Sequence, residues 1–309
     1  MFRPRLRIPR PPRTWLAVKT HQRSVQHYVP TLKFKADQGV PDFLGPEAFK
    51  VAWTEYETLQ LSKINSYVAG TPWERDSLKD LVLKTAREPR HASLFNYASA
   101  AHNNHFFFEG LASEQTTMPS RLEEDLQRSF GSVQTLKEEL TLTARGMFGP
   151  GFVWLVRAER VGDPESFRVL ATYLAGSPYP GAHWRRQPYD MNTVDNRAPL
   201  PAGDAVIAAM RPPPGDPVEY LERRHQGSWG RVPDAAKFAP GGIDLVPVLC
   251  VNMWEHVWVH DYGVFREGVD GKANYLENWW NRINWNIVAE RASGRARTST
   301  LKTTSVSSR

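Results

Sequence analysis

The chain has 309 residues, of which 41% are hydrophobic and 23% are charged, a composition typical of a globular protein with a sizeable core. No stretch approaches the roughly 18 consecutive apolar residues that a membrane-spanning helix needs. The single cysteine, Cys250, excludes an internal disulfide and fits a reducing compartment or the mitochondrial matrix.

The formal charge of +6 is concentrated at the two ends of the chain. Residues 1–36 hold nine Lys or Arg and no acid, and five more basic residues follow Glu290 without an acid. The body from Asp37 to Glu290 holds 25 basic and 33 acidic residues, which gives it a net charge of −8. A body this acidic is not an obvious surface for binding nucleic acid.

The N-terminal segment 1–23 is rich in arginine and free of acids, which is typical of a mitochondrial transit peptide. Its prolines before Thr14 weaken the amphipathic helix expected of such a peptide, so a basic arm that stays on the mature protein is the alternative. Cleavage near Arg23 would remove seven basic residues and leave a net charge of −1. We therefore expect the protein in the mitochondrial matrix.

Two helices are predicted in the first third of the chain. Apolar and aromatic residues recur at spacings of three and four from Val40 to Tyr67, and a second helical run, rich in Ala and Phe, extends from Ser93 to Leu111. Thr71–Pro72 interrupts the pattern between them. Residues 38–115 are therefore predicted to form a helical hairpin domain.

The next part of the chain changes from helical to strand periodicity. Helices are predicted over Arg121–Gln127 and Val133–Arg145, with Gly131–Ser132 as a break and cap. Segments rich in β-branched and aromatic residues are predicted as strands, the first two joined by a turn at Gly162–Pro164: Gly151–Glu159, Phe167–Ala175 and Leu245–Val251. Helical segments around Tyr275–Trp280 and Ile283–Arg291 complete a predicted C-terminal α/β domain, residues 116–291.

Two further segments are predicted to lie outside the regular elements. Residues 182–240 are proline-rich and too long for a simple connection, so we interpret them as an insertion that contacts a partner, with disorder as the alternative. The tail, 292–309, is polar and basic and is predicted to be disordered in isolation.

Short motifs along the chain resemble those of one known family. The sequence NMWEH at Asn252–His256 is followed by WWNRINW at Trp279–Trp285. Earlier in the chain, Asn104–Phe108 reads NHFFF, and Phe148–Val156 reads FGPGFVWLV. In this order and spacing they resemble the iron/manganese superoxide dismutases, and the resemblance covers roughly residues 30–291 without the insertion.

The resemblance implies an α+β fold, in which an N-terminal helical hairpin is followed by an α/β part with a three-stranded antiparallel sheet. It also implies a metal site formed by a His on the first helix, a His on the second, and the Asp and His of the motif D-x-W-E-H. Three imidazoles, one carboxylate and an open position allow iron or manganese to change oxidation state.

Two of the four implied ligands are absent from this chain. His105 and His256 stand at the second-helix position and the last position, but Asn252 replaces the Asp. The first-helix position falls on Ala52, and no histidine occurs anywhere between Tyr28 and Arg90 to replace it. The resemblance therefore predicts a degenerate dismutase without catalytic residues, metal or other cofactor. Further along the first helix, Tyr56 and Gln60 also replace the family's His and Tyr.

The surviving histidines have simpler interpretations than a metal site. His105, on a helix rich in Phe, fits a hydrogen-bonded core histidine. His102 and His260 could add nitrogen ligands to His105 and His256, and four histidines could hold zinc, which is kept as an alternative. Cys250 fits a small buried residue on the inward face that it shares with Asn252, and the Trp residues fit the core.

The pair Glu255–His256 matches the residues that meet across the two-fold axis in dimeric members of the family. The resemblance therefore implies that a dimer-type interface persists in this chain. The alternative is a monomer in which both side chains only satisfy their own neighbours.

The degenerate site, the matrix address, the insertion and the tail resemble the superoxide dismutase-like proteins of fungal mitochondrial small ribosomal subunits. This resemblance implies a structural subunit supporting mitochondrial translation, paired with a second dismutase-like subunit as a heterodimer and in contact with other small-subunit proteins. Peripheral contact with rRNA is expected through the tail residues Arg295, Arg297 and Lys302. The alternatives are an active mitochondrial superoxide dismutase with substituted ligands and a free pseudoenzyme that regulates one.

Overall fold

The computed structural model describes residues 27–86, 88–160, 166–182, 243–266 and 268–294. The predicted transit peptide, residues 183–240 of the predicted insertion, and the tail from residue 295 onward lie outside the described residues. The predicted turn at Gly162–Pro164 also lies outside them.

The N-terminal half is helical, as predicted, with one helix more than expected. The first long helix consists of α1 (Pro46–Phe49), a π-helical stretch (Lys50–Glu55) and α2 (Tyr56–Val68) in direct succession. It is followed by α3 (Leu78–Thr85) and α4 (Ala92–Glu109). The helix that was not predicted is α3, a short helix capped by the Ser77 side chain.

The helical prediction from Val40 begins too early. Val40 and Leu44 pair their backbones in an isolated antiparallel bridge, which is incompatible with a helix. The helix starts at Pro46, whose fixed φ suits the first helical turn and whose missing N–H is not needed there.

The predicted break between the next two helices is confirmed. Helix α5 (Ser120–Phe130) ends at Gly131, which adopts a φ of 81° that residues with a side chain rarely take. Helix α6 (Val133–Gly146) begins with Ser132, whose side chain accepts the backbone N–H of Thr135.

The predicted three-stranded antiparallel sheet is also confirmed, with each strand slightly displaced from its predicted ends. The strands are β1 (Gly151–Arg160), β2 (Ser166–Tyr173) and β3 (Ile243–Asn252), in the order β2–β1–β3. The central strand β1 is buried through its middle, and Phe152 pairs with Asn252 at the end of β3. The register therefore places the last residue of β3 beside the start of β1.

The C-terminal segment folds over this end of the sheet. It comprises α7 (Glu255–Tyr262), a hairpin of β4 (Phe265–Arg266) and β5 (Val269–Asp270), α8 (Gly271–Asn281) and α9 (Trp285–Ala292). Neither α7 nor the hairpin was predicted. Helix α8 begins at Gly271, four residues before the predicted segment, because the Asp270 side chain caps it there by accepting the N–H of Lys272.

Two hydrophobic clusters hold these elements together. The larger one packs the first helix and the C-terminal helices against the sheet, and its largest buried side chains include Trp154, Trp279 and Tyr275. The smaller one lies between α2, α3 and α4. No helix in the described part of the chain is long and apolar enough to cross a membrane. The α+β architecture is the one predicted.

Candidate functional site

The π-helical stretch places the first implied ligand position in the core. Ala52 is fully buried, and its methyl group offers no ligand atom. Its backbone oxygen accepts a hydrogen bond from Asn104 Nδ2 on α4 at 3.1 Å. A π-helix bonds residue i to i+5 rather than to i+4, so its turns are wider than those of an α-helix. Glu57, five residues after Ala52, also binds Asn104 Nδ2, at 3.1 Å from Oε2.

The second replaced ligand, Asn252, is the last residue of β3 and is also buried. Its Nδ2 donates to Asn104 Oδ1 at 3.2 Å, and its Oδ1 accepts the backbone N–H of Trp254 at 3.0 Å. Its backbone oxygen accepts the hydroxyl of Tyr275 at 2.7 Å. The amide that stands in place of a carboxylate is therefore already bonded through both ends of its side chain.

His105, the second-helix position, packs its ring against the indole of Trp53, with ring centres 5.8 Å apart. Burial lowers the pKa of His105, nearby Glu109 opposes this shift, and Arg291 adds to it. This environment favours the neutral imidazole, so the ring packs as an aromatic group beside the first helix.

His256, the last implied ligand, stacks on Tyr56, with ring centres 4.5 Å apart and an angle of 26° between the planes. Its buried Nε2 has no hydrogen-bond partner among the described residues. Burial lowers its pKa to about 4, so the ring is neutral at physiological pH. Tyr56 thus covers the face of the histidine, and Gln60, the other replaced position on this helix, is also buried.

Glu57 is the site residue that the sequence analysis missed. It is fully buried, and its Oε1 has no hydrogen-bond partner in the described structure. Burial raises its pKa to about 8, and the hydrogen bond from Asn104 opposes that shift. The signal was present in the sequence, because Glu57 lies in the same buried helical stripe as Leu61, Ile64 and Val68.

These residues do not fit an iron or manganese ion. Ala52 has no ligand atom, the Asn252 amide donates its N–H to a neighbour, and Glu57 is engaged by Asn104. Within the described ranges, no group of three or more His, Cys, Asp or Glu side chains is positioned to hold a metal ion.

The alternative of a four-histidine zinc site is wrong within the part of the chain that the structure describes. His102 is half-buried and shares a hydrogen bond of 2.9 Å with the hydroxyl of Tyr179, and burial lowers its pKa to about 3. His260 is exposed and bonds Asp261 through Nδ1 at 2.9 Å. Cys250 is buried, as predicted, and burial raises the pKa of its thiol.

Glu255, the predicted interface residue, is exposed at the start of α7. It lies at the end of the sheet where β1 begins, because Met253 N–H donates to the Gly151 oxygen at 2.8 Å. The loop that enters β1 carries Phe148, which is 98% exposed, and Leu174 N–H donates to the Pro150 oxygen at 2.9 Å.

We call the exposed residues at this end of the sheet the sheet-end surface: Phe148, Tyr173, Leu174 and Glu255. It combines large apolar side chains with one carboxylate. The tail residues Arg295, Arg297 and Lys302 lie outside the described residues.

The fold and the motifs make this chain similar to the iron/manganese superoxide dismutases. Residues 118–183 and 231–291 match the family of iron/manganese superoxide dismutases, C-terminal domain. The interruption of this match falls within the predicted insertion, residues 182–240.

Individual relatives extend the comparison over most of the chain. Small ribosomal subunit protein mS43 of Schizosaccharomyces pombe is 25% identical over 86% of this chain and 84% of its own length. Small ribosomal subunit protein mS42 of the same organism is 27% identical over 82% of this chain and 91% of its own. The iron superoxide dismutase of Helicobacter pylori is 22% identical over 82% of this chain.

Proposed function

We propose that this chain is a non-catalytic structural component of the mitochondrial small ribosomal subunit and supports mitochondrial translation. The observation that carries the proposal is the similarity to two small ribosomal subunit proteins, mS43 and mS42, over 86% and 82% of the chain. The implied metal site supports it, because Ala52 and Asn252 stand where a redox metal would need an imidazole and a carboxylate.

Sedimentation of a tagged full-length chain through a gradient of mitochondrial lysate tests this proposal. We expect the chain to co-sediment with the small subunit and its rRNA. Recovery only at the top of the gradient would contradict a ribosomal role and would favour the free regulatory pseudoenzyme. Superoxide dismutase activity in that top fraction, with bound metal, would favour the active enzyme instead.

The purified chain is expected to contain no stoichiometric iron or manganese and to show no dismutase activity. Restoring both ligand types with Ala52→His and Asn252→Asp should still give an inactive protein, because Glu57 and Tyr56 occupy the surroundings of the site. Metal analysis and an activity assay check both proteins. Near-unit metal occupancy with turnover in the native chain would contradict the loss of catalysis.

A second superoxide dismutase-like chain is the proposed partner. The two ribosomal relatives each align with this chain over most of their own length, 84% and 91%, so two chains of one fold can meet through equivalent surfaces. The sheet-end surface suits such a contact. A protruding Phe148 supplies apolar area, and Glu255 supplies an acceptor for the partner's polar groups.

Mitochondrial import is proposed to depend on residues 1–23. Deleting them should prevent import in a mitochondrial uptake assay, because the basic residues that the import pathway reads are removed. The deleted chain should fold as before when expressed in bacteria. Protein recovered from the matrix with Met1 still in place would contradict cleavage.

Contact with rRNA is proposed to be peripheral and to involve the basic tail. Deleting residues 292–309 should weaken ribosome association most at low salt, and the difference from the native chain should shrink as the salt concentration rises, because Arg295, Arg297 and Lys302 act through attraction to phosphate. Co-sedimentation at increasing salt measures this effect. The same profile for the native and the truncated chain would contradict a role for the tail.

A further inference from the structure

A buried network of hydrogen-bonded polar side chains lies at the position where the resemblance implies a metal ion. Its members come from three elements: Glu57 from α2, Asn104 from α4 and Asn252 from the end of β3. Their exposed fractions are 0%, 0% and 1%. Asn104 is the central member, since it donates to Glu57 Oε2 at 3.1 Å and accepts from Asn252 Nδ2 at 3.2 Å.

Both asparagine side chains in this network form hydrogen bonds through the amide nitrogen and through the amide oxygen. Asn104 Nδ2 also donates to the Ala52 oxygen at 3.1 Å, so both of its N–H groups are used. Asn252 Oδ1 accepts the N–H of Trp254 at 3.0 Å, which fixes the start of the NMWEH segment. The hydrogen-bonded network therefore runs without interruption from the first helix, through α4, to the strand that leads into α7.

The elements that it joins are far apart in sequence. Asn104 is 47 residues from Glu57 and 148 residues from Asn252. Buried polar groups that lose a partner keep the cost of leaving water, so removing one member weakens the others as well. A network of this kind therefore couples the positions of the elements that it connects.

We infer that Glu57, Asn104 and Asn252 form a metal-independent polar crosslink that holds the two halves of the fold together at the implied metal position. The crosslink accounts for the amide at residue 252. An amide at residue 252 can donate to Asn104, whereas a carboxylate there would set oxygen against the Asn104 oxygen. The inference concerns the isolated chain and holds whether or not the chain binds a ribosome.

A double-mutant cycle on the purified full chain tests the crosslink. Asn104→Ala and Asn252→Ala should each lower the equilibrium constant of folding by about tenfold to a hundredfold, because each leaves buried partners unpaired. In the double variant, the equilibrium constant of folding should fall by a factor much smaller than the product of the factors for the two single variants. Urea unfolding measures all four proteins.

Asn103→Ala provides the matched control. Asn103 precedes Asn104 on the same helix and is equally buried, but its Nδ2 donates to the Gly176 oxygen at 2.9 Å. When Asn103→Ala is combined with Asn252→Ala, the equilibrium constant of folding should fall by the product of the factors for the two single variants. If the factors for Asn104→Ala and Asn252→Ala also multiply in the double variant, the crosslink is refuted.

The native chain supplies an independent test that does not depend on the folding of any variant. Dialysis against a chelator should leave its melting temperature unchanged, and adding manganese or iron should not raise it. A clear fall on chelation or a rise with either metal would refute metal independence. Asn252→Asp should destabilise the chain with or without manganese, and rescue by the metal would also contradict the inference.

Discussion

Glu57→Gln is expected to stabilise the protein by about 2–4 kcal/mol at pH 9 and to have little effect at pH 5. The folded chain holds a proton on Glu57 up to a pKa of about 8, whereas the unfolded chain loses it near the ordinary value of 4.5. The stability that this carboxyl contributes is complete below pH 4.5 and is lost as the pH rises through 8. Glutamine keeps the hydrogen bond from Asn104 and cannot ionise, so the variant escapes this loss.

Urea unfolding of both proteins at several pH values between 5 and 9 measures the difference. His102 and His256 are neutral in the fold because burial lowers their pKa, so they contribute a trend of the opposite sign below pH 6.5. That trend is common to both proteins and cancels in the difference. Glu124→Gln removes the same charge from an exposed position on α5 and is the matched control. A flat difference for Glu57→Gln would contradict a neutral buried acid.

Glu255→Ala is expected to weaken pairing with the proposed second dismutase-like chain by about tenfold or more. A charge-assisted hydrogen bond across a desolvated interface is stronger than a neutral one, and its removal leaves the partner's group buried and unpaired. The exposed position of Glu255 at the start of α7 means that the separated chain should keep its stability. Titration calorimetry with the purified partner measures the affinity.

Phe148→Asp is the stronger companion variant, because it places a charge in the most exposed apolar position of the sheet-end surface. It should reduce pairing by more than Glu255→Ala and leave the melting temperature of the single chain unchanged. Glu124→Ala, on an exposed part of α5, is the control and should pair normally. Normal pairing of both the Glu255 and the Phe148 variants would show that the interface lies elsewhere.

The sequence predicted most of the fold because its strongest signals are local or come from the resemblance. The spacing of apolar residues located α4, and the β-branched and aromatic segments located all three strands of the main sheet. The two helices that were missed, α3 and α7, are each eight residues long. Elements of this length are held by capping and tertiary contacts more than by a periodic pattern.

The candidate site was predicted less completely. The motifs gave the positions Ala52, His105, Asn252 and His256. Glu57 was missed, although its spacing places it in one helical stripe with the buried apolar residues of α2. A glutamate in a helix is ordinarily solvated, and its burial here depends on Asn104, which is 47 residues further along the chain. The stacking of Tyr56 on His256 is likewise a contact between distant segments. Contacts of this kind require the fold, which spacing alone does not supply.

The π-helical stretch bears on whether catalysis could be regained in evolution. Ala52 and Glu57, five positions apart along the first helix, both present an oxygen atom to Asn104. Replacing Asn252 by aspartate would remove the donor to Asn104 while Ala52 still offers no ligand atom. A lineage that regained the two ligand types one at a time would therefore pass through an intermediate whose core network is broken and whose metal site is still incomplete.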